Sequence, residues 1–334
     1  MPRYDENDYE SYDRPRRRTR PRTKERPSYD DAIEAVVVTV DRGRITCRLP
    51  DGEGGEGGLV IAMKSRPLGR KGVVVGDMVG LVGDVTGAEG SLARIVTIAE
   101  RSSVLRRTAD DDDPVERIVV ANADQLLIVT ALADPEPRPR LIDRALVAAY
   151  DAHMTPILVL TKADLADPDD LVAAYAPLGV EVIVTQRDAA PETFSHIRQR
   201  LVGHRSVLLG HSGVGKSTLV NALIPEAGRL TGGVNAVTGR GRHTSTSAVM
   251  LTLGASWDNG WVVDTPGIRS FGLAHVDPDD ILDAFGDLHE LTAMCPRGCT
   301  HADGEPECGL DQADASQAAR VHSFRRLLTS RTGL

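Results

Sequence analysis

The chain reads as three folded parts in series: a small all-β barrel, a mostly parallel α/β domain, and a helical tail carrying a metal-type loop. Three observations predict this. Five short β-branched or alternating runs lie within residues 32–105, separated by Gly-rich turns, the pattern of a small barrel. After the acidic punctuation at 110–114 (DDDDP), apolar runs of strand length alternate with helical stretches, which implies a parallel sheet covered on both faces. From Asp277 onward the pattern is helical, interrupted by three closely spaced cysteines and a histidine.

Residues 1–31 precede these parts. Within them, residues 14–26 (RPRRRTRPRTKER) hold seven Arg and one Lys and almost nothing apolar. Such a stretch buries no core and is expected to be a disordered arm. It serves either as a solubilising tail or as an arm that follows phosphates, each neutralised phosphate adding salt-sensitive affinity. The remaining composition is ordinary for a globular protein: 334 residues, 41% hydrophobic and 26% charged, with room for two or three domains. A net charge of −9 argues against a protein that simply coats nucleic acid. No apolar run reaches the roughly 18 residues of a membrane span. The N-terminus lacks an apolar signal core, so a cytoplasmic location is expected. Nothing suggests a dimer interface, and a monomer is expected.

The barrel, residues 32–108, takes its strands from 35–40 (AVVVTV), 45–49 (ITCRL), 59–62 (LVIA), 78–82 (MVGLV) and 93–98 (ARIVTI). The expected type is an OB barrel, although an SH3-like barrel shares the pattern. Cys47 sits in a strand pattern and is expected in the core. Arg66, Arg70 and Lys71 lie in the long loop before Gly76-Asp77, either as a solvated loop or as an RNA contact.

Residues 109–275 form the α/β domain. Strands are expected at 124–130, 156–160, 182–185, 206–209 and 261–263, with helices over 141–152 and near 169–175. Three motifs sit at strand ends. Residues 210–217 (GHSGVGKS) match G-x-x-x-x-G-K-[ST] between a strand and a helix, the pattern of a phosphate-binding loop. Backbone N–H groups of the loop, from Gly210 through Ser212, Gly213, Val214 and Gly215 to Thr218, face the nucleotide phosphates. Lys216 bridges the terminal phosphates and the Ser217 hydroxyl ligates Mg²⁺. Residues 264–267 (DTPG) follow an apolar strand; there Asp264 holds Mg²⁺ through water and the Gly267 N–H touches the γ-phosphate. Residues 161–164 (TKAD) follow another strand. The Asp164 carboxylate accepts from both N1–H and the 2-amino group of guanine, a pair that adenine lacks. Lys162 packs along the base. Thr161 stands where Asn is usual and makes only part of that amide's bonds.

The guanine reader precedes the other two motifs, whereas an ordinary GTPase has it last. The expected fold is therefore a circularly permuted P-loop GTPase domain. A Ser-Ala pair that usually completes the guanine pocket is not evident, and Val184-Thr185-Gln186 stands in its place. Many small GTPases put Gln directly after the DxxG motif to orient the attacking water; here Ile268 stands there and cannot do so. Residues 239–246 (GRGRHTST) lie where the first switch belongs. Thr244 is the first choice for its hydroxyl on Mg²⁺, with Ser245 and Thr246 as alternatives. His243 is a candidate to orient water, and Arg240 or Arg242 to stabilise transition-state charge. Slow intrinsic turnover, accelerated by a partner, is expected.

The last part, residues 276–334, opens with Asp277 as an N-cap and Pro278 at the first helical position. Cys295, Cys299, His301 and Cys308 place three thiols and one imidazole within 14 residues. Four S/N ligands suit tetrahedral zinc, with no vacant position, so the expected site is structural. A final helix near 312–328 is expected to leave Arg320, Arg325 and Arg326 exposed.

Taken with the permuted order, the barrel before it and the zinc loop after it, these motifs make the chain resemble the ribosome small-subunit-dependent GTPase A family (RsgA, also called YjeQ). The likeness covers about residues 32–328. Residues 101–106 (RSSVLR) and 141–144 (LIDR) also agree with it. The family's zinc loop often has one more residue between the first two cysteines and one fewer before the last. The basic arm is not typical of the family. The resemblance implies a GTP-hydrolysing factor that acts late in maturation of the small (30S) subunit and dissociates when the subunit stimulates hydrolysis. It also implies that barrel and zinc domain grip 16S rRNA on either side of the GTPase domain. A P-loop ATPase, or a GTP-gated RNA-binding module with negligible turnover, are the competing readings.

Overall fold

A computed structural model describes residues 29–41, 43–51, 57–68, 72–107, 117–187, 189–225, 248–254, 259–265, 273, 276–315 and 317–331. The basic stretch at 14–26, Arg70, Lys71 and the acidic run at 110–113 lie outside the described residues. The chain divides into Met1–Asp30 and Asp31–Leu334, and every described strand and helix belongs to the second unit.

Five strands close a barrel: β1 (Ile33–Asp41), β2 (Arg44–Arg48), β3 (Leu59–Lys64), β4 (Met78–Gly83) and β5 (Ala93–Ile98). They run β1-β2-β3-β5-β4, with β4 returning to β1. β3 and β5 are parallel and the remaining barrel pairs antiparallel. Alternate residues point inward, so Ala35, Val37, Ile45, Val60, Leu81 and Ile95 fill the interior. Cys47 is fully buried among them, and burial pushes its thiol up to about 12.

The barrel is joined to the next part by a hairpin, β6 (Val104–Arg107) with β7 (Arg117–Ala121). The sequence pattern did not predict it, because the strands are short and polar-tipped. The RSSVLR segment finds its role here. Arg101 grips the fully buried Asp77 through two hydrogen bonds, 2.6 and 2.8 Å. The Ser102 N–H donates to Asn122 Oδ1 at 2.8 Å, and Asn122 Nδ2 donates to the Gly76 carbonyl at 2.9 Å. The charged pair ties the segment after β5 to the turn before β4 with charge-assisted bonds.

The α/β part contains β8 (Gln125–Ala131), α1 (Pro139–Asp151), β9 (Thr155–Thr161), α2 (Asp169–Tyr175), β10 (Glu181–Val184), α3 (Pro191–Leu201), β11 (Arg205–Leu209), α4 (Lys216–Leu223), β12 (Val249–Thr252) and β13 (Trp261–Asp264). The sheet runs β10-β9-β8-β11-β13-β12, parallel from β10 to β13, with β12 antiparallel. All of β8 is buried, as expected for a central strand covered on both faces. On one face lie α3 and α4 over Val129, Ile157 and Leu208. On the other lies α1, whose Leu146 and Ala149 pack over Ile128 and Leu158. β12 also pairs with β1 at Thr39↔Val249, so one sheet continues from the α/β part into the barrel.

The C-terminal part comprises α5 (Pro278–Leu282), α6 (His289–Thr292) and α7 (Ala318–Arg331). Asp277 caps α5 by accepting from the Asp279 N–H at 3.1 Å. α7 begins six residues later than expected, after a short turn at Gly309–Gln312. Its arginines are also not exposed as the sequence suggested. Arg320 makes a fork to Asp287 at 2.7 and 2.8 Å, Arg325 bonds Asp311 at 2.6 Å, and Arg326 lies 3.3 Å from Asp143. Two of their guanidinium groups also stand over aromatic faces, Arg320 over Phe285 and Arg326 over Tyr175. Asp143 belongs to the LIDR segment, whose Arg144 also donates to the Ser330 carbonyl at 3.2 Å. That segment ties α1 to α7, and Phe285 and Phe324 share the core of the α/β part.

Candidate functional site: a nucleotide cleft and a cysteine–histidine cluster

The C-terminal ends of parallel strands converge at one edge of a sheet, and ligand-binding loops gather there. Here the loops after β8, β9, β10 and β11 do so. The loop at 210–217 leaves β11 and enters α4. Gly210 is required where it stands: a Cβ would lie 2.4 Å from the Val129 carbonyl oxygen. Gly213 and Gly215 take left-handed φ of 84° and 94°, which turns successive N–H groups inward. Ser212, Ser217 and Thr218 are solvent-accessible and Val214 is buried. Lys216 is half-buried, and its ammonium donates to the Gly210 carbonyl.

Thr161, at the end of β9, is buried beneath this loop. Its hydroxyl donates to the Val214 carbonyl at 2.6 Å, with the Thr130 carbonyl 3.2 Å away. Residue 161 therefore clamps the phosphate loop to the strand end of the TKAD motif, across 53 positions of sequence. Lys162 has φ of 61°, and its ammonium donates to the Asp134 carbonyl. A cleft of about 380 Å³ opens here, lined by Lys162, Asp164, Thr185, Phe194, Thr218 and Leu219. Asp164 is exposed to it. Thr185 stands at the cleft with both backbone groups used: its N–H donates to Leu160 O at 2.7 Å and its carbonyl accepts from Ala163 at 3.2 Å.

Asp264 ends β13, in register with Leu208 of β11. Burial raises its carboxyl above the usual range, and Lys216 opposes that. Burial lowers the Lys216 ammonium, and Asp264 opposes that in turn. The two groups thus attract one another electrostatically where solvent is scarce. Among the described residues Asp264 Oδ1 is buried with no hydrogen-bond partner, a costly state. A hydrated divalent cation at this point, held with the Ser217 hydroxyl, would satisfy it, so the residues fit magnesium. Next to it, the Thr265 hydroxyl donates to the Leu208 carbonyl at 2.6 Å, anchoring the chain as it leaves β13. His243, Thr244 and Gly267 lie outside the described residues, as do Arg240, Arg242, Ser245, Thr246 and Ile268.

A second cluster lies in the C-terminal part. One ligand atom each from Cys295, Cys299, His301 and Cys308 falls within a 4.8 Å span. His301 Nδ1 is 3.6, 3.5 and 3.9 Å from the three sulfurs in that order. Tetrahedral zinc bonds of ordinary length put nitrogen and sulfur about 3.6 Å apart, so the donor set fits zinc. Burial lowers the His301 imidazole, against the pull of Asp279 and Glu305, which favours the neutral, ligating form. The Gly309 N–H donates to Cys295 Sγ at 3.1 Å. A Cβ at Gly309 would come within 1.9 Å of the Leu291 carbonyl oxygen, so the loop closes over α6 only with glycine there. The His301 carbonyl accepts from Arg325 at 3.3 Å.

Sequence reasoning missed Asp134, Leu165, Arg187, Phe194 and Leu219 as cleft residues, while Gln186 lines the cleft beside Thr185. Phe194 carried no local motif, and α3 was not foreseen. Only the convergence of loops at one sheet edge signals such positions.

The profile of the RsgA GTPase family matches residues 98–274. The small ribosomal subunit biogenesis GTPase RsgA of Ectopseudomonas mendocina (strain ymp) is 43% identical over 225 residues, 64% of this chain and 63% of that protein. The protein of that name from Pseudomonas syringae pv. syringae (strain B728a) is 38% identical over 247 residues, 71% of this chain and 69% of its own length. The chain thus spans just under two thirds of the length of the first of these curated relatives. Among solved structures, YjeQ from Thermotoga maritima superposes with a TM-score of 0.62 at 26% identity, over 89% of this chain and 98% of that one. YloQ, described as a circularly permuted GTPase, gives 0.62 at 21% identity over 89% and 94%, and shares the fold. Among the described residues no helix is long and apolar enough to cross a membrane.

Proposed function

The chain belongs to the RsgA GTPase family, and from that membership and the site geometry we propose that it hydrolyses GTP in the late maturation of the small ribosomal subunit. The observation that carries the reading is the buried oxygen of Asp264, without a hydrogen-bond partner among the described residues, on the strand beside the one that feeds the phosphate loop. In this reading Asp164 accepts from the guanine N1–H and 2-amino group, and Lys162 covers the base. Thr161 holds the loop rather than the ligand. Backbone N–H groups from Gly210 to Thr218, with the Gly267 N–H, cradle the phosphates, while Lys216 neutralises charge that develops between them. Ser217 and Asp264, with Thr244, hold magnesium, which when bound offsets phosphate charge. His243 orients the attacking water, or a group from the subunit does, because Ile268 cannot.

The barrel is of the OB type, with β3 beside β5 in parallel, and together with the zinc-bearing part it grips 16S rRNA. Zinc is structural, held by Cys295, Cys299, His301 and Cys308, and the chain acts as a monomer. The working boundaries are an arm at 1–31, the barrel at 32–108, the GTPase domain at 109–275 and the zinc domain at 276–334. The protein binds the 30S subunit in its GTP form and leaves after hydrolysis. Single-turnover GTP hydrolysis with and without small subunits tests this. Acceleration by about a thousandfold or more is expected, the range of groups supplied in trans. Unchanged rates would leave a GTP-gated RNA-binding module, and equal use of ATP would leave an ATPase; either result overturns the reading.

A further inference from the structure

A single rung of the continuous sheet connects the barrel to the nucleotide site. Thr39 of β1 stands opposite Val249 of β12, Val249 opposite Asp264 of β13, and Asp264 opposite Leu208 of β11, one residue before the end of the strand that feeds the phosphate loop. The barrel side of this rung is fastened by side chains. The Thr39 hydroxyl donates to the Ala248 carbonyl at 3.2 Å, and Thr39 is 4% exposed. Arg48 of β2 donates to the Thr252 hydroxyl at 3.3 Å, at the other end of β12. A register shift in β1 between Val37 and Thr39 marks a bulge. A bulge bends and twists its strand, and here it lets β1 serve the barrel at one end and β12 at the other. Val36 and Val38 of β1 share one core with Met250 of β12 and Val263 of β13.

We infer that Thr39 is a positioning residue for the magnesium-side carboxylate, and that through it the barrel sets the cation requirement of the nucleotide site. β12 is a short strand of four residues with an antiparallel partner on either side. Its placement therefore depends on both neighbours, and Asp264 depends on β12 for one edge of its backbone. A movement of the barrel shifts Val249, and Val249 shifts Asp264. Thr39 itself touches neither nucleotide nor cation. A load applied to the barrel thus reaches the site without passing through the phosphate loop.

This inference rests on the proposed GTPase reading, and its test separates the two. Full-length wild type, Thr39→Val, Thr39→Ser and Thr97→Val are assayed for GTP hydrolysis across a magnesium titration, with thermal midpoint measured on each. Thr39→Val keeps the β-branched shape and loses the donor. The expected result is a rise in the magnesium concentration for half-maximal rate, up to about tenfold, the ceiling set by one neutral hydrogen bond. The maximal rate at saturating magnesium should stay near that of wild type. Thr39→Ser, which keeps the hydroxyl, should restore the wild-type titration. Thr97→Val, on the exposed outer side of β5, should leave it unchanged. Thr252→Val removes the second tether from the α/β side and should act in the same direction; it decides the matter if Thr39→Val fails to fold. Unchanged titrations for both Thr39→Val and Thr252→Val, in a protein that does hydrolyse GTP with magnesium, overturn the inference. If wild type shows no magnesium-dependent GTP hydrolysis, the functional reading itself has failed.

Discussion

Replacing Arg326 with Met should destabilise the protein at neutral pH and do so much less in acid. Asp143 is 3% exposed, and its nearest cation is Arg326 Nε at 3.3 Å. Burial already raises the Asp143 carboxyl; Arg326 and the Tyr175 hydroxyl pull it back down. Arg326→Met keeps an apolar stem and removes the charge, together with the guanidinium that lies over the Tyr175 ring. Stranding a buried ion costs about 3–5 kcal/mol. Arg326 remains 29% exposed and solvent screens the pair, so about 2–3 kcal/mol is the better expectation. At roughly 2–4 °C per kcal/mol for a unit of this size, the thermal midpoint should fall by about 4–12 °C at pH 8. The pH dependence has a definite sign. A carboxyl whose folded pKa is raised favours the folded state fully below its unfolded value, near 3.9, and that advantage fades as pH rises through the folded pKa. Arg326→Met raises the folded value further, so its deficit against wild type is largest at pH 8 and shrinks as pH falls toward 4. The assay is thermal or urea unfolding of wild type, Arg326→Met, Asp143→Asn and the double variant at both pH values. The double variant should recover much of the loss, since no charge is stranded. A deficit under about 1 kcal/mol at pH 8, or one that does not shrink in acid, would refute the reasoning.

Two further outcomes concern the metal cluster and the guanine reader. Cys308→Ser should lower bound zinc from one per chain to near zero by elemental analysis. It should also loosen the core that Cys308 shares with Phe324 and Leu310, seen as faster amide exchange across α6 and α7 than across β8. Asp164→Asn should weaken GTP binding by one to two orders of magnitude, the loss of charge-assisted bonds to the base, while xanthosine triphosphate, whose ring offers an acceptor where guanine offers a donor, gains in competition.

Much of the architecture was legible in residue periodicity. β1 to β5 and β8 to β11 lie within about two residues of where alternation and apolar runs placed them, because each buries a face whose pattern the sequence must carry. The hairpin of β6 and β7 left no such trace. Its strands bury chiefly Leu105, Val120 and Ala121, and what holds it is a set of side-chain bonds from Arg101, Ser102 and Asn122. The arginines of α7 were misread for a related reason. An Arg at helical spacing looks like a solvated face, and only tertiary structure shows that its head meets Asp287, Asp311 or Asp143. In the nucleotide cleft, Thr161 was recognised by position, but its clamp on Val214 depends on how closely two strand ends approach.

The rung through Thr39 bears on why the order of motifs matters physically. In this chain β8 and β9, with the Thr161 end, come before β11 and its phosphate loop, so β13 is in chain order the last described strand and Asp264 its last residue. Only twelve residues separate Asp264 from Asp277, which caps the first helix of the C-terminal part. At the other end of the chain, β1 reaches across to β12 and so to Asp264 from the opposite edge. Asp264 therefore sits between the two accessory parts, joined to one by a short length of chain and to the other by a sheet rung. Placed here, a sub-ångström change at its carboxylate has a covalent path to the zinc-bearing part and a hydrogen-bonded path to the barrel. Packed strands move as units rather than by stretching. If that is the use of the permuted order, inserting a flexible segment between Asp264 and Asp277 should uncouple the C-terminal part from the nucleotide while the barrel remains coupled. The readout is subunit affinity in the GTP and GDP forms: the insertion should shrink the difference, and combining it with Thr39→Val should abolish it. An insertion that leaves the difference intact would mean that the order of motifs carries no mechanical consequence on that side.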